Sequence, residues 1–153
     1  MYAVSVSMEV NPGGVKPMLT LDKLWRGLEL KAEDPVPFVP GMESCQVIER
    51  MDDGFLREVV VRGQTFREIL TFTPPVQIRF DRVEGEESGW IMNTLSESPV
   101  GLLLTYTIAV NFMGVWPGTD EEKQKGDEVH FNYANALRQT LEILRARVAE
   151  GTL

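Results

Sequence analysis

The chain has 153 residues, of which 43% are hydrophobic and 25% are charged, and its formal net charge is −8. This length and composition are typical of a soluble globular protein with one domain, spanning residues 1–153 and folding around its own core. The negative charge argues against nucleic acid as a partner, because phosphate binding needs clustered lysine and arginine, and the lack of an apolar run of about 18 residues argues against membrane insertion.

The first 41 residues predict one strand and one helix. Apolar and polar residues alternate over residues 2–10, which indicates a half-buried strand, and Asn11-Pro12-Gly13-Gly14 ends it. Thr20 is predicted to cap a helix of about three turns. Prolines 35, 37 and 40, with Gly41, end this helix and leave room for at most one further turn.

Six strand signals follow, separated by turn residues. The predicted strands cover residues 45–51, 55–62, 65–73, 76–83, 90–96 and 102–112. The connections are short, the longest being an acidic loop at residues 84–89, so consecutive strands are expected to pair as an antiparallel meander. Together with the first strand, this makes seven strands.

The last segment predicts one long amphipathic helix. Acidic residues 120–122 open it and arginines lie near its end, as the helix macrodipole favours. Tyr133, Leu137, Leu141, Leu144 and Val148 form one apolar stripe. A helix of about 28 residues spans about 42 Å, and Gly126 is expected to fray or kink it near its start. The order of elements predicts an α+β fold, in which a curved antiparallel sheet wraps around this helix and leaves a cavity.

Several short motifs carry a family resemblance. They are Val10-Asn11, Leu24-Trp25-Arg26-Gly27-Leu28, Asp34-Pro35, Phe38-Val39-Pro40-Gly41, Leu56-Arg57-Glu58 and Arg67-Glu68. Their order and spacing resemble the AtaL-like family, formerly a domain of unknown function, in the helix-grip superfamily of START lipid-transfer domains, polyketide cyclases and Bet v allergen-type proteins (SRPBCC). The resemblance implies a helix-grip fold with one or two short helices after the first strand and an internal pocket, but no settled activity. Plant allergen-type members carry a glycine-rich loop where this chain has only Asp52-Asp53-Gly54, so their ligands are not carried over.

The hairpin at residues 55–73 places charges on an apolar face. With its turn centred between Gly63 and Gln64, alternation groups eight residues on the inward face: Phe55, Arg57, Val59, Val61, Phe66, Glu68, Leu70 and Phe72. Arg57 and Glu68 are then diagonal neighbours within reach of each other. Two interpretations stay open: a polar anchor for a ligand carboxylate, carbonyl or hydroxyl, or an ion pair that only fixes the strands.

Four further residues are candidates for the pocket wall. Tyr106 supplies the only hydroxyl on the apolar face of the last strand, and core packing is its alternative role. On the preceding strand, Trp90, Met92 and Thr94 are predicted to face inward. If the alternate residues of that strand face inward instead, Asn93 is among them. His130 precedes Tyr133 by three residues on the edge of the helical stripe, where it could serve as a general acid or base or be purely structural. The predicted ligand-binding residues are Arg57, Glu68, Tyr106, His130, Tyr133, Phe66, Val59 and Trp90.

No cofactor or metal site is expected. One histidine and one cysteine do not make a zinc site, and neither a phosphate loop nor a dinucleotide fingerprint is present. A single cysteine, Cys45, excludes an internal disulfide and favours a cytoplasmic location.

Three hypotheses about function follow. The first is binding of a small hydrophobic ligand, lipid- or polyketide-like, in a cavity between the sheet and the C-terminal helix. The second is a cyclase- or isomerase-type enzyme of secondary metabolism that uses the same cavity. The third is an interaction module with a collapsed interior, which a cavity of about 300 Å³ or more would contradict.

Overall fold

The order of elements is the predicted one. The computed structural model describes residues 1–153 and contains seven strands and two helices. They are β1 (Tyr2–Glu9), α1 (Leu21–Glu33), β2 (Met42–Met51), β3 (Gly54–Val61), β4 (Gln64–Thr73), β5 (Gln77–Glu84), β6 (Glu87–Ser98), β7 (Gly101–Phe112) and α2 (Asp120–Ala149). The predicted acidic loop is shorter than expected, because β5 and β6 extend into it and leave only Gly85 and Glu86 as the turn.

All seven strands form one antiparallel sheet, in the order β1-β7-β6-β5-β4-β3-β2. Strands β2 to β7 are consecutive hairpins, whereas β1 crosses over to pair with β7. The sheet curves around α2, and the two helices share one apolar core with its inner face. This arrangement is the predicted helix grip.

Both helices begin at threonine caps. The Thr20 hydroxyl accepts a hydrogen bond from the Lys23 backbone nitrogen at 3.3 Å, and Thr119 caps α2 in the same way. Gly126 does not end or interrupt α2. It is buried where a side chain would run into the ring of Tyr2, so the glycine lets β1 approach the helix. No helix of the chain combines the length and apolarity needed to cross a membrane.

The register of the β3–β4 hairpin differs from the predicted one. Val61 pairs with Gln64, and the turn is Arg62-Gly63, with φ of 48° and 78°. Positive φ at both turn residues matches the twist of a two-residue hairpin, which explains why the turn lies one residue earlier than predicted. Partners shift by two residues, so the inward face is unchanged, and Arg57 lies directly opposite Glu68.

Candidate functional site

A cavity of about 310 Å³ lies between the inner face of the sheet, the end of α1 and the first half of α2. Half of its lining residues are hydrophobic, among them Val59, Phe66, Phe80, Ile91, Phe112 and Val129, and the other half are mostly charged or polar. The volume falls at the lower end of the range for small-molecule pockets. A cavity of this size contradicts the collapsed interior that the interaction-module hypothesis requires.

The Arg57–Glu68 pair is buried in the cavity wall. Arg57 Nε and Nη2 donate to Glu68 Oε2 at 3.0 and 2.8 Å, and both residues are at most 5% exposed. Arg57 Nη1 donates to the carbonyl oxygen of Ala32 at 2.7 Å, near the end of α1. The pair therefore ties β3, β4 and α1 together, whatever else it does.

A second arginine, Arg82 on β5, approaches the same carboxylate. Its Nε lies 3.6 Å from Glu68 Oε1 and, although buried, donates no hydrogen bond. Its Nη1 pairs with Glu87, and its guanidinium lies over the Phe66 ring. Burial alone would raise the pKa of Glu68, but the charges of Arg57 and Arg82 hold that pKa below its usual value. Glu68 is thus an ionised carboxylate between two arginines.

Lys31, near the end of α1, is a site residue that the sequence did not predict. It is 7% exposed, and its Nζ donates to Asn93 Oδ1 at 3.0 Å and lies 4.4 Å from the centre of the Tyr106 ring. Burial and the neighbouring Arg57 charge lower the pKa of Lys31 to about 7, against the opposing effect of Glu68. The signal was present in the sequence, since Lys31 follows Leu24 and Leu28 at helical spacing on the buried face of α1.

Tyr106 and Thr140 form a buried hydroxyl pair at the back of the cavity. The two oxygens are 3.1 Å apart, and Thr140 donates to the carbonyl oxygen of Ala136 at 2.8 Å, so Tyr106 donates to Thr140. Burial raises the pKa of Tyr106, which keeps the phenol neutral. This pair joins β7 to α2.

Replacing Thr140 with valine is expected to lower the free energy of unfolding by about 1–3 kcal/mol, because the buried Tyr106 hydroxyl loses its partner. Replacing Tyr106 with phenylalanine should cost less, about 0.5–1.5 kcal/mol, since Thr140 keeps its bond to Ala136. Urea denaturation followed by tryptophan fluorescence measures both. A larger loss in Y106F than in T140V would contradict the assigned donor order.

The remaining predicted residues divide between the cavity and the outside. Val59, Phe66 and Tyr133 line the cavity with Arg57, Glu68 and Tyr106. Trp90 does not, because Ile91, Asn93 and Leu95 are the buried residues of β6 and Trp90 lies on the outer face under the Arg79 guanidinium. His130 is exposed: Val129 and Tyr133, four residues apart, line the cavity, and His130 is rotated about 100° away from Val129. The structure thus brings together six of the eight predicted residues, whose role in binding stays a prediction.

Comparisons with known proteins agree with this architecture. The family model described as AtaL, acetylaranotin biosynthesis cluster protein L, matches residues 4–151. No curated protein matches the chain in sequence.

Several solved structures share the fold. One is the di-domain ARO/CYC StfQ from the steffimycin biosynthetic pathway, with a TM-score of 0.73 and 14% identity over 96% of this chain and 52% of that one. The Zhui aromatase/cyclase from Streptomyces sp. R1128 has a TM-score of 0.67 and 17% identity over 96% and 94% of the two chains. A START superfamily protein from Mycobacterium smegmatis has a TM-score of 0.67 and 18% identity over 93% and 98%. These likenesses confirm the predicted helix-grip fold.

Proposed function

Because this chain belongs to the AtaL family, whose model spans residues 4–151, we propose that its cavity binds a small, mostly apolar molecule of polyketide-like character. The apolar body of the ligand lies against the aromatic wall, and a polar group of the ligand meets the cluster around Arg57 and Glu68. The observation that carries the proposal is the cavity itself, which combines apolar and aromatic lining residues with a cluster of charged groups around Arg57 and Glu68.

The size and lining of the cavity favour compact, ring-bearing ligands over long acyl chains. A volume of about 310 Å³ leaves little room for an extended lipid tail. Phe66, Phe80, Tyr106 and Phe112 offer aromatic faces and edges to a flat ring system. Two structural neighbours are named as aromatase/cyclases, and the family description names a biosynthesis cluster. These names support a ligand from secondary metabolism.

The polar cluster retains free hydrogen-bonding capacity. Glu68 Oε1 accepts no hydrogen bond, and Arg57 uses three of its five N–H groups within the protein. A hydroxyl or carbonyl of a ligand thus finds both an acceptor and donors there. Such convergent polar groups in an apolar pocket fix the orientation of a ligand.

Filling the cavity tests the proposal. Val59 is 2% exposed and faces the cavity, whereas Val60, the next residue of β3, faces outward. The wild-type protein is expected to bind 2-naphthalenemethanol, and V59F should weaken that binding at least tenfold because the phenyl ring occupies the space. Isothermal titration calorimetry measures both, with V60F as the matched control that binds like the wild type.

Two results would refute cavity binding. One is no binding of 2-naphthalenemethanol by the folded wild-type protein. The other is equal binding by V59F and wild type, which would place the probe elsewhere. Circular dichroism of each variant verifies that the comparison is made between folded proteins.

A further inference from the structure

Positive charge exceeds negative charge within the cavity wall. Three nearly buried cations, Lys31, Arg57 and Arg82, face one fully buried carboxylate, Glu68. Glu87 pairs with Arg82 from a more exposed position, 24% accessible. The whole chain carries a net charge of −8, so this excess is local to the cavity and opposite in sign to the protein as a whole.

Lys31 is the cation without a carboxylate partner. Its ammonium donates one hydrogen bond, to the neutral amide oxygen of Asn93, and two of its three N–H groups stay free. The faces of Tyr106 and Phe80 also lie near it, with their ring centres 4.4 and 5.9 Å from Nζ. A buried ammonium with only neutral partners is unfavourable, and either loss of its proton or arrival of an anion removes that cost.

We propose that the ligand of this cavity carries an acidic group, a carboxylate or an enolate, that pairs with the ammonium of Lys31 beside Asn93. This inference rests on the proposed function and specifies the chemistry of its ligand. Arg82 adds a second positive charge to the same wall, and its buried Nε, 3.6 Å from Glu68 Oε1, donates no hydrogen bond.

The protonation of Lys31 depends on charged and titratable groups from the strands and the helix that surround it. Arg57 on β3 opposes its protonation, Glu68 on β4 favours it, and Arg82 on β5 is compensated by Glu68 and Glu87. Tyr106 on β7 and Tyr133 on α2 stay neutral, since burial raises the pKa of both phenols. In the free protein, the pKa of Lys31 is about 7.

Anion binding therefore takes up a proton above neutral pH. At pH 6 the free protein already carries the Lys31 proton, so an anion binds without uptake. At pH 8.5 the amine is mostly neutral, and the bound anion draws a proton onto it. By linkage, the affinity for an acid falls by up to about tenfold per pH unit above pH 7, while the affinity for a neutral analogue stays constant.

The experiment compares two probes that differ only in the acidic group. Titration of 2-naphthoic acid and 2-naphthalenemethanol at pH 6 and pH 8.5, in buffers of different ionisation enthalpy, gives affinity and proton uptake together. The acid should bind at least tenfold more tightly than the alcohol at pH 6, with uptake approaching one proton at pH 8.5. In K31M, which replaces the buried charge by an unbranched apolar chain one atom shorter, both effects should vanish while the alcohol still binds.

Lys23 supplies the matched control on the same helix. Its Nζ donates to the backbone oxygen of Leu153, outside the cavity, and K23M should behave like the wild type. Equal affinity for acid and alcohol, or an acid preference that persists in K31M, would overturn the acidic-ligand inference and leave cavity binding intact. If neither probe binds, both proposals fail.

Discussion

Replacing Glu68 with glutamine is expected to lower the free energy of unfolding by about 3–5 kcal/mol, the usual loss when one partner of a buried ion pair is removed. Glu68 Oε2 accepts two hydrogen bonds from Arg57, and Oε1 lies 3.6 Å from Arg82 Nε. An amide keeps the shape of the side chain but removes the charge that holds the two buried guanidinium groups together. Equilibrium urea denaturation of E68Q and wild type at pH 7 measures the difference.

The neighbouring ion pair on the opposite face of the hairpin is a matched control. One residue along the same two strands, Glu58 pairs with Arg67 at 3.1 Å, and both side chains are at least 35% exposed. E58Q should cost no more than about 1 kcal/mol, because water screens the pair and solvates the arginine that remains. If E58Q and E68Q lost the same free energy, burial would not be the reason for the importance of Glu68.

The loss in E68Q also depends on pH in a defined direction. The pKa of Glu68 is lower in the folded protein than in the unfolded chain. Its contribution to stability is therefore complete above the unfolded pKa, about 4.3, and is lost as the pH falls through the folded value. The difference between E68Q and wild type should therefore shrink in acid.

Replacing Asn11 with alanine is expected to lower the free energy of unfolding by about 2–4 kcal/mol, because two backbone groups of a buried residue lose their partners. Asn11 Nδ2 donates to the carbonyl oxygen of Leu19 and Oδ1 accepts from its backbone nitrogen, both at 2.8 Å, and Leu19 is 1% exposed. The Asn11 side chain thus satisfies both backbone groups of Leu19, as a paired strand residue would, and holds the loop between β1 and α1 in place. Thermal and urea denaturation of N11A measure the loss.

Asn135 on α2 is the control for an asparagine without this role. Its side chain accepts a hydrogen bond only from exposed Arg138, three residues further along the helix. N135A should change stability by no more than about 0.5 kcal/mol. A loss in N11A no greater than that in N135A would show that water replaces the lost loop contacts without cost.

Alternation of residues along a strand predicted most of the site. It fixed the inward face of the β3–β4 hairpin correctly even though the turn was placed one residue too late, because a two-residue change of partner preserves the face. It failed for Trp90, because each face of β6 offers both apolar and polar residues and neither parity is segregated. The outer face accepts Trp90 because Arg79 covers its ring.

The charged residues that the sequence did not predict lie on apolar faces. Lys31 follows Leu24 and Leu28, and Arg82 follows Ile78 and Phe80, at the spacing of buried residues. Lysine and arginine are ordinarily placed at the surface, and only the assembled structure shows that these two converge on Glu68 and Asn93 from separate elements. The periodicity of a sequence predicts which face of a helix or strand a residue occupies. It does not predict which residues of other elements that residue contacts.

The crossover of β1 onto β7 has a consequence for the timing of folding. Ser5 and Thr107, whose hydroxyl oxygens are 2.9 Å apart across the two strands, are separated by 102 positions. A ribosome needs about 5–20 s to make that much chain, so the first strand to emerge has no sheet to join until the last one has been synthesised. Once β7 has formed, its edge stays bare until β1 docks on it, and a bare edge is the kind of surface that recruits other chains. The strand that comes first in the sequence is therefore the one that closes the sheet.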